Sequence, residues 1–177
     1  FMPCREAEME FIMKKVAVIM GSDSDLPVIK KATDILDELG VPYEVHIYSA
    51  HRTPVHARNF ALAASENGFG VMIAAAGMAA HLAGAIAANT ILPVIGIPCK
   101  SSCFDGMDAL LSTVEMPSGV PVATVAVGGG ANAALLAAQI LAVNDQDLAA
   151  KLANRRLREK EAVLKKDERV NEMLKNL

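Results

Sequence analysis

His51 and Arg52 stand side by side in the stretch Tyr48-Ser49-Ala50-His51-Arg52-Thr53-Pro54. An imidazole takes up and returns protons near neutral pH, and a guanidinium clamps a phosphate through two parallel hydrogen bonds. Two further junctions carry similar residues, Gly21-Ser22-Asp23-Ser24-Asp25 and Gly77-Met78-Ala79-Ala80-His81. Ser22, Ser24 and Asp25 are either turn and cap residues or ligand groups. As ligand groups, the two hydroxyls suit a phosphate at a helix N-terminus; a carboxylate would repel that phosphate, so Asp25 suits a ribose diol. His51 is either a solvent-facing loop histidine or a proton carrier. His81, set among Gly, Ala, Met and Leu, is either a satisfied core histidine or the polar group of a pocket. Such a pocket, walled by Gly77, Ala79 and Ala80, would admit a small planar group to main-chain N–H donors.

These junctions need elements to hold them. Val16 to Met20 is a continuous apolar run ending at Gly21, the pattern of a central parallel strand. Ser24 or Asp25 is a cap for the next helix, with Pro27 in its first turn. Ile29, Ala32, Ile35, Leu36 and Leu39 share one face of that helix, and Gly40 and Pro42 end it. Tyr43 to Tyr48 alternates as a strand. Thr53 and Pro54 open a helix that runs to near Gly68. Strands are expected at Val71 to Ala75, Pro93 to Ile97 and Val122 to Val127, and helices at His81 to Asn89, Met107 to Val114 and Ala133 to Ala142. Strands alternating with helices at this spacing imply βαβ units and a parallel sheet. In such a sheet ligands bind beyond the carboxyl ends of the strands, and all the unusual polar sequence falls there. The last of it is Cys99 to Cys103 and Gly128 to Asn132. The opposite edge carries ordinary turns.

Composition narrows the function classes. The chain has 177 residues, a hydrophobic content of 53% and a net charge of −3. That is enough chain for one domain with a substantial core, and the mild acidity provides no basic face for nucleic acid. The longest apolar stretch, Phe69 to Ala88, is interrupted by Gly70, Gly77, His81 and Gly84, so no membrane span is expected. Cys4, Cys99 and Cys103 lack zinc-finger spacing and are expected to be reduced thiols of a cytoplasmic protein. His46 and His56 read as surface positions. The triple glycine at 128–130 does not form G-x-G-x-x-G after the first strand, and no P-loop, G-x-S-x-G or H-E-x-x-H occurs. Proton transfer is the chemistry that remains. Three segments are expected: an extension over residues 1–13, outside the ordered domain and with Met13 a natural start, an α/β domain over 14–144, and a charged helical segment over 145–177. The last carries a sparse apolar stripe through Leu148, Leu152, Leu157, Leu164, Val170, Leu174 and Leu177, and is either a frayed surface helix or an arm packed on another subunit.

At these residues the chain resembles the PurE family of purine biosynthesis across nearly its whole length. The motifs that carry the resemblance are Gly21 to Asp25, Ser49 to Pro54, Gly77 to Gly84, Asp108 to Ser112 and Met116 to Val125. The Ala50-His51-Arg52-Thr53-Pro54 and Gly77-Met78-Ala79-Ala80-His81-Leu82 forms are similar to class I members, which interconvert N5-carboxyaminoimidazole ribonucleotide and 4-carboxyaminoimidazole ribonucleotide. Class II members, which carboxylate aminoimidazole ribonucleotide with free carbon dioxide, carry Ala-His-Lys-Gly-Pro and Ala-Gly-Arg-Ser-Asn instead. The resemblance implies a flavodoxin-like, doubly wound five-stranded parallel sheet in a three-layer αβα sandwich, assembled as an octamer with sites at subunit junctions and the C-terminal helix on a neighbour. It implies a small nucleotide substrate and neither metal nor organic cofactor. Ser22, Ser24 and Arg52 would then hold the phosphate and Asp25 the ribose hydroxyls. Ser49 would join the substrate-binding set. His51 would be the single general acid and base, His81 would complete the catalytic set, and the loop of Gly77, Ala79, Ala80 and Leu82 would enclose the migrating carboxylate. Leu26 stands where many class I members have Trp, Glu115 where Gln is usual, and Phe104-Asp105 where an aliphatic residue and no acid is expected. Two other functions compete: a carboxylase using free carbon dioxide, and a flavodoxin-like module that binds a nucleotide without turnover.

Overall fold

The computed structural model describes residues 13–102 and 104–175. Cys4, Cys103, Leu177 and the expected extension up to residue 12 lie outside the described residues. Five parallel strands form one sheet in the order β2-β1-β3-β4-β5. They are β1 (Lys15–Met20), β2 (Tyr43–Ile47), β3 (Phe69–Ala76), β4 (Val94–Pro98) and β5 (Ala123–Thr124). The helices are α1 (Leu26–Leu39), α2 (Pro54–Ala63), α3 (Leu82–Ala87), α4 (Met107–Val114), α5 (Gly130–Ala142) and α6 (Gln146–Lys175).

The inner strands are apolar at nearly every position because both faces of the sheet are covered. Val16, Val18, Met20, Val71, Ile73 and Ala75 face α1 and α5, while Ala17, Ile19, Met72 and Ala74 face α2 and α3. This is the three-layer αβα sandwich the motifs imply. The direction in which strands are added reverses between β1 and β3: β2 lies outside β1, whereas β4 and β5 extend beyond β3. Register then sets the site. Met20 pairs with Ile47 on one side and Ala75 on the other, and Ala76 pairs with Pro98, so four strands end at one level. Their loops start together at the switch point, where an open parallel sheet leaves a crevice.

Several boundaries differ from expectation. β5 has only two residues rather than the run from 122 to 127. It is an edge strand paired with β4 alone, and the chain soon leaves the ladder for a turn at Gly128, whose N–H reaches the Pro98 carbonyl at 2.9 Å. α2 stops at Ala63, and turns carry the chain to Gly68, which takes a left-handed φ of 82°. α3 is shorter than expected, with His81 at its N-cap position, and α5 starts earlier, at Gly130. Neither Ser24 nor Asp25 caps α1 through its side chain; Ser22 Oγ instead accepts from Ser24 N at 3.3 Å. His46 is half-buried rather than on the surface, stacked on Tyr48 and tilted against Phe60, whereas His56 is exposed as expected.

α6 is a continuous helix of 30 residues, about 45 Å long at the usual rise. Asp145 Oδ1 caps its start by accepting from Leu148 N at 2.9 Å. The body covers Leu148 and partly covers Leu152 and Arg155, and Arg155 and Arg158 reach Glu38 of α1. Beyond Arg155 every described side chain is exposed, including Leu157, Val163, Leu164, Val170 and Met173.

The layers meet closely where glycine permits. A Cβ at Gly130 would run into the carbonyl oxygen of Val28, a backbone atom of α1 that cannot rotate away. Gly130→Ala is expected to destabilise the fold by about 3 kcal/mol, read as a lower denaturant midpoint at unchanged slope.

Candidate active site

Ser49 to Thr53 is a closed turn. Thr53 occupies the N-cap position of α2, but its hydroxyl turns back on the loop, accepting from Ser49 N at 2.8 Å and donating to Ser49 O at 3.2 Å. Ser49 Oγ accepts from Arg52 N at 3.2 Å. The turn therefore presents His51 and Arg52 to solvent. Arg52 Nη2 donates to the carbonyl of Gly21 at 3.3 Å, drawing the loop after β2 over the end of β1.

The loop after β3 is held by unusual backbone. Met78 has φ 56°, a left-handed conformation uncommon outside glycine. Ala80 N bonds to Met78 O at 2.8 Å and His81 N to Ala79 O at 2.7 Å, so the chain doubles back twice before α3. Thr113 Oγ1 on α4 reaches Ala80 O at 3.4 Å. This folding leaves His81 exposed on the cleft side, which removes the core reading of that histidine.

Together the four loops enclose a cleft of about 700 Å³. Ser22, Ser24, Asp25, Ser49, His51, Arg52, Gly77, Ala79, His81 and Leu82 all line it. Ala80 is the exception among the expected site residues: it is buried beneath the loop and does not line the cleft. Lys100 and Ser101, from the loop after β4, line the cleft as well. Polar residues at a strand end were the only sequence signal for them. A smaller groove of about 240 Å³ between α5 and α6 contains Arg155, Arg156 and Glu159 but no histidine and none of the expected site residues.

The model of the AIR carboxylase family matches residues 15–162, which includes every loop of the cleft. The chain belongs to this family. It is 54% identical to an N5-carboxyaminoimidazole ribonucleotide mutase of Pyrococcus horikoshii over 89% of each chain. It is 55% identical to the protein of that name from Bacillus subtilis, over 88% of this chain and 97% of that one. Treponema denticola PurE has the same fold, with a TM-score of 0.78 and 29% identity, covering 87% of this chain and 96% of that one. These relations bear out the resemblance drawn from the motifs and the five-stranded parallel architecture.

Within this family member, Asp25 is the electrostatically costly group. It is only 9% exposed. Burial pushes its carboxyl above the ordinary carboxylate value, although hydrogen bonds from the Cys99 thiol and the Ser22 backbone act in the opposite direction. Cys99, at the end of β4, has no counterpart among the expected site residues. Burial first, and then the Asp25 charge beside it, push its thiol up to about 12, so it stands protonated as a donor.

The linkage has a definite sign. Because the folded carboxyl holds its proton more tightly than the unfolded one, the native state loses stability as pH rises from the unfolded to the folded value of Asp25. The penalty persists at neutral pH. Asp25→Asn is therefore expected to melt higher than the parent at neutral pH. The gap should close as the buffer is acidified below the ordinary aspartate value, which thermal unfolding across a pH series would measure.

Proposed function

We propose that this chain is a mutase of de novo purine biosynthesis that interconverts N5-carboxyaminoimidazole ribonucleotide and 4-carboxyaminoimidazole ribonucleotide. The observation that carries the reading is the cleft, where two histidines, an arginine and a buried aspartate from three loops meet in a member of this family. Ser22, Ser24 and Arg52 bind the phosphate, and Asp25, well placed next to Ser24, takes the ribose hydroxyls. Ser49 supports Arg52 through the backbone bond described above. His51 is the acid and base. It protonates the carbamate nitrogen so that carbon dioxide leaves, the enamine-like ring carbon attacks that carbon dioxide, and the neutral imidazole then removes the proton from the same carbon. No net proton is gained or lost. His81 with Gly77, Ala79 and Leu82 encloses the freed carbon dioxide, which would otherwise diffuse away. Ala80 acts from beneath, through its carbonyl to Thr113. The class I motifs and the mutase names of the two relatives favour this reaction over carboxylation by free carbon dioxide.

The enzyme is a cytoplasmic homo-oligomer, an octamer, that uses neither metal nor organic cofactor, and α6 is its arm onto a neighbouring subunit. Exposed apolar residues along α6, and Phe104, Met107, Leu111 and Val114 about α4, support assembly, because a monomer of this size rarely leaves so much apolar surface uncovered. Among the described residues no helix is long and apolar enough to cross a membrane. Truncation after Glu159 is expected to yield a smaller particle by sedimentation velocity; an unchanged particle would remove the arm from the assembly.

The reaction is tested with substrate carboxyl-labelled on the ring amine, without ATP or added bicarbonate, followed by carbon NMR. Label should move to the ring carbon. Label lost to bulk carbon dioxide would indicate the free carbon dioxide route, and a static spectrum a binding module. His51→Asn is expected to bind nucleotide while losing turnover by roughly a hundredfold to ten-thousandfold, measured by single-turnover kinetics beside ligand titration.

A further inference from the structure

The cleft is lined by two permanent cations among the described residues, Arg52 and Lys100. They sit apart. Arg52 follows β2 and leans on Gly21 at the end of β1, whereas Lys100 follows β4. In the order β2-β1-β3-β4 the end of β1 lies two strand spacings from β4, about 10 Å. With phosphate and ribose held on Arg52 and Asp25 as proposed above, both at the end of β1, the rest of the same cleft, across β3 to Lys100, is the space left for the base.

The start of the Lys100 loop is fixed. Ser101 Oγ lies 2.8 and 2.9 Å from the two carboxylate oxygens of Asp108 in α4. The backbone carbonyls of Cys99 and Lys100 lie close against Gly77, so the lysine side chain begins at the lip of the Gly77 to Leu82 loop. Its ammonium is 2.5 Å from Asp105 Oδ1, and both side chains are largely exposed, at 71% and 77%. An ion pair in water is worth little, so a ligand anion competes with Asp105 at small cost. Asp105 has φ 54° and is followed by Gly106 at φ 96°, a left-handed pair that turns the acid back towards Lys100.

We propose that Lys100 is a specificity-determining residue that leaves Asp105 to pair with the carboxylate borne by the base, and so separates carboxylated from decarboxylated nucleotide. The inference rests on the mutase reading and deepens it. Both carboxylated nucleotides carry that group and the decarboxylated one lacks it, so Lys100 retains the forms that enter and leave the reaction. Asp105 is its competitor, a carboxylate within the chain that occupies the ammonium when the site holds no carboxylated ligand.

The test compares binding of 4-carboxyaminoimidazole ribonucleotide and aminoimidazole ribonucleotide by calorimetry. Lys100→Met is expected to weaken the carboxylated ligand by about tenfold or more, the loss of one charge-assisted contact, and to leave the decarboxylated ligand unchanged. The unchanged ligand doubles as the check that the variant is folded. Lys100→Arg should restore most of the difference, and Asp105→Asn should tighten the carboxylated ligand alone. Arg52→Ala is the contrast, weakening both ligands together. A Lys100→Met protein with the parent ratio of affinities, whether both ligands weaken or neither does, overturns the assignment. If the parent moves label between nitrogen and carbon as proposed, that result sinks Lys100 alone; if the parent binds neither nucleotide, the mutase reading falls and Lys100 with it.

Discussion

The constraint on which the rest depends is the covering of both faces of a parallel sheet. Strands buried on both sides have no room for polar side chains, and their backbone groups are spent in the ladder. Polar chemistry is then left to the strand ends. Because Met20, Ile47, Ala76 and Pro98 finish at one level, four loops with little else in common open into the same space. The reversal in the direction of strand addition between β1 and β3 spreads them enough to leave a cleft rather than a closed lid.

Much of this was legible in the sequence because apolar runs and their glycine or proline stops have a direct physical meaning. Val16 to Met20 read as an inner strand and Gly40 as the end of a helix, and the structure has both. The cleft followed from where polar residues were allowed. What the sequence hid was settled by interactions between distant segments. β5 is short because the chain leaves the ladder early for the turn that Gly128 N–H ties to the Pro98 carbonyl. His46 is stacked because Tyr48, just past the end of its strand, and Phe60 of α2 converge on it. Ala80 looks like its neighbours as a string of small residues, and only the double turn around Met78 sends it inward while Ala79 and His81 face out. Lys100 was visible as a lysine at a strand end, but its distance from Arg52 depends on strand order.

The site is built more from borrowed backbone than from matched side-chain pairs. Thr53 stitches its own loop, Arg52 rests on a carbonyl, and Thr113 of α4 reaches the Ala80 carbonyl of the loop after β3. Each catalytic candidate is therefore oriented by a different element of the fold. Asp25 is the opposite case: it is held in an environment that opposes its charge, and burial is the main cause.

Cys99 gives that environment a further property. A sulfur lies next to the buried carboxyl, yet its proton is held until about pH 12, and it is almost wholly shielded from solvent. Oxidants and electrophiles react with the thiolate, and here almost none exists. The fold has placed a soft, polarisable donor beside the carboxyl and keeps this thiol in its unreactive, protonated form. Cys99 is built to hold a proton and not to exchange electrons.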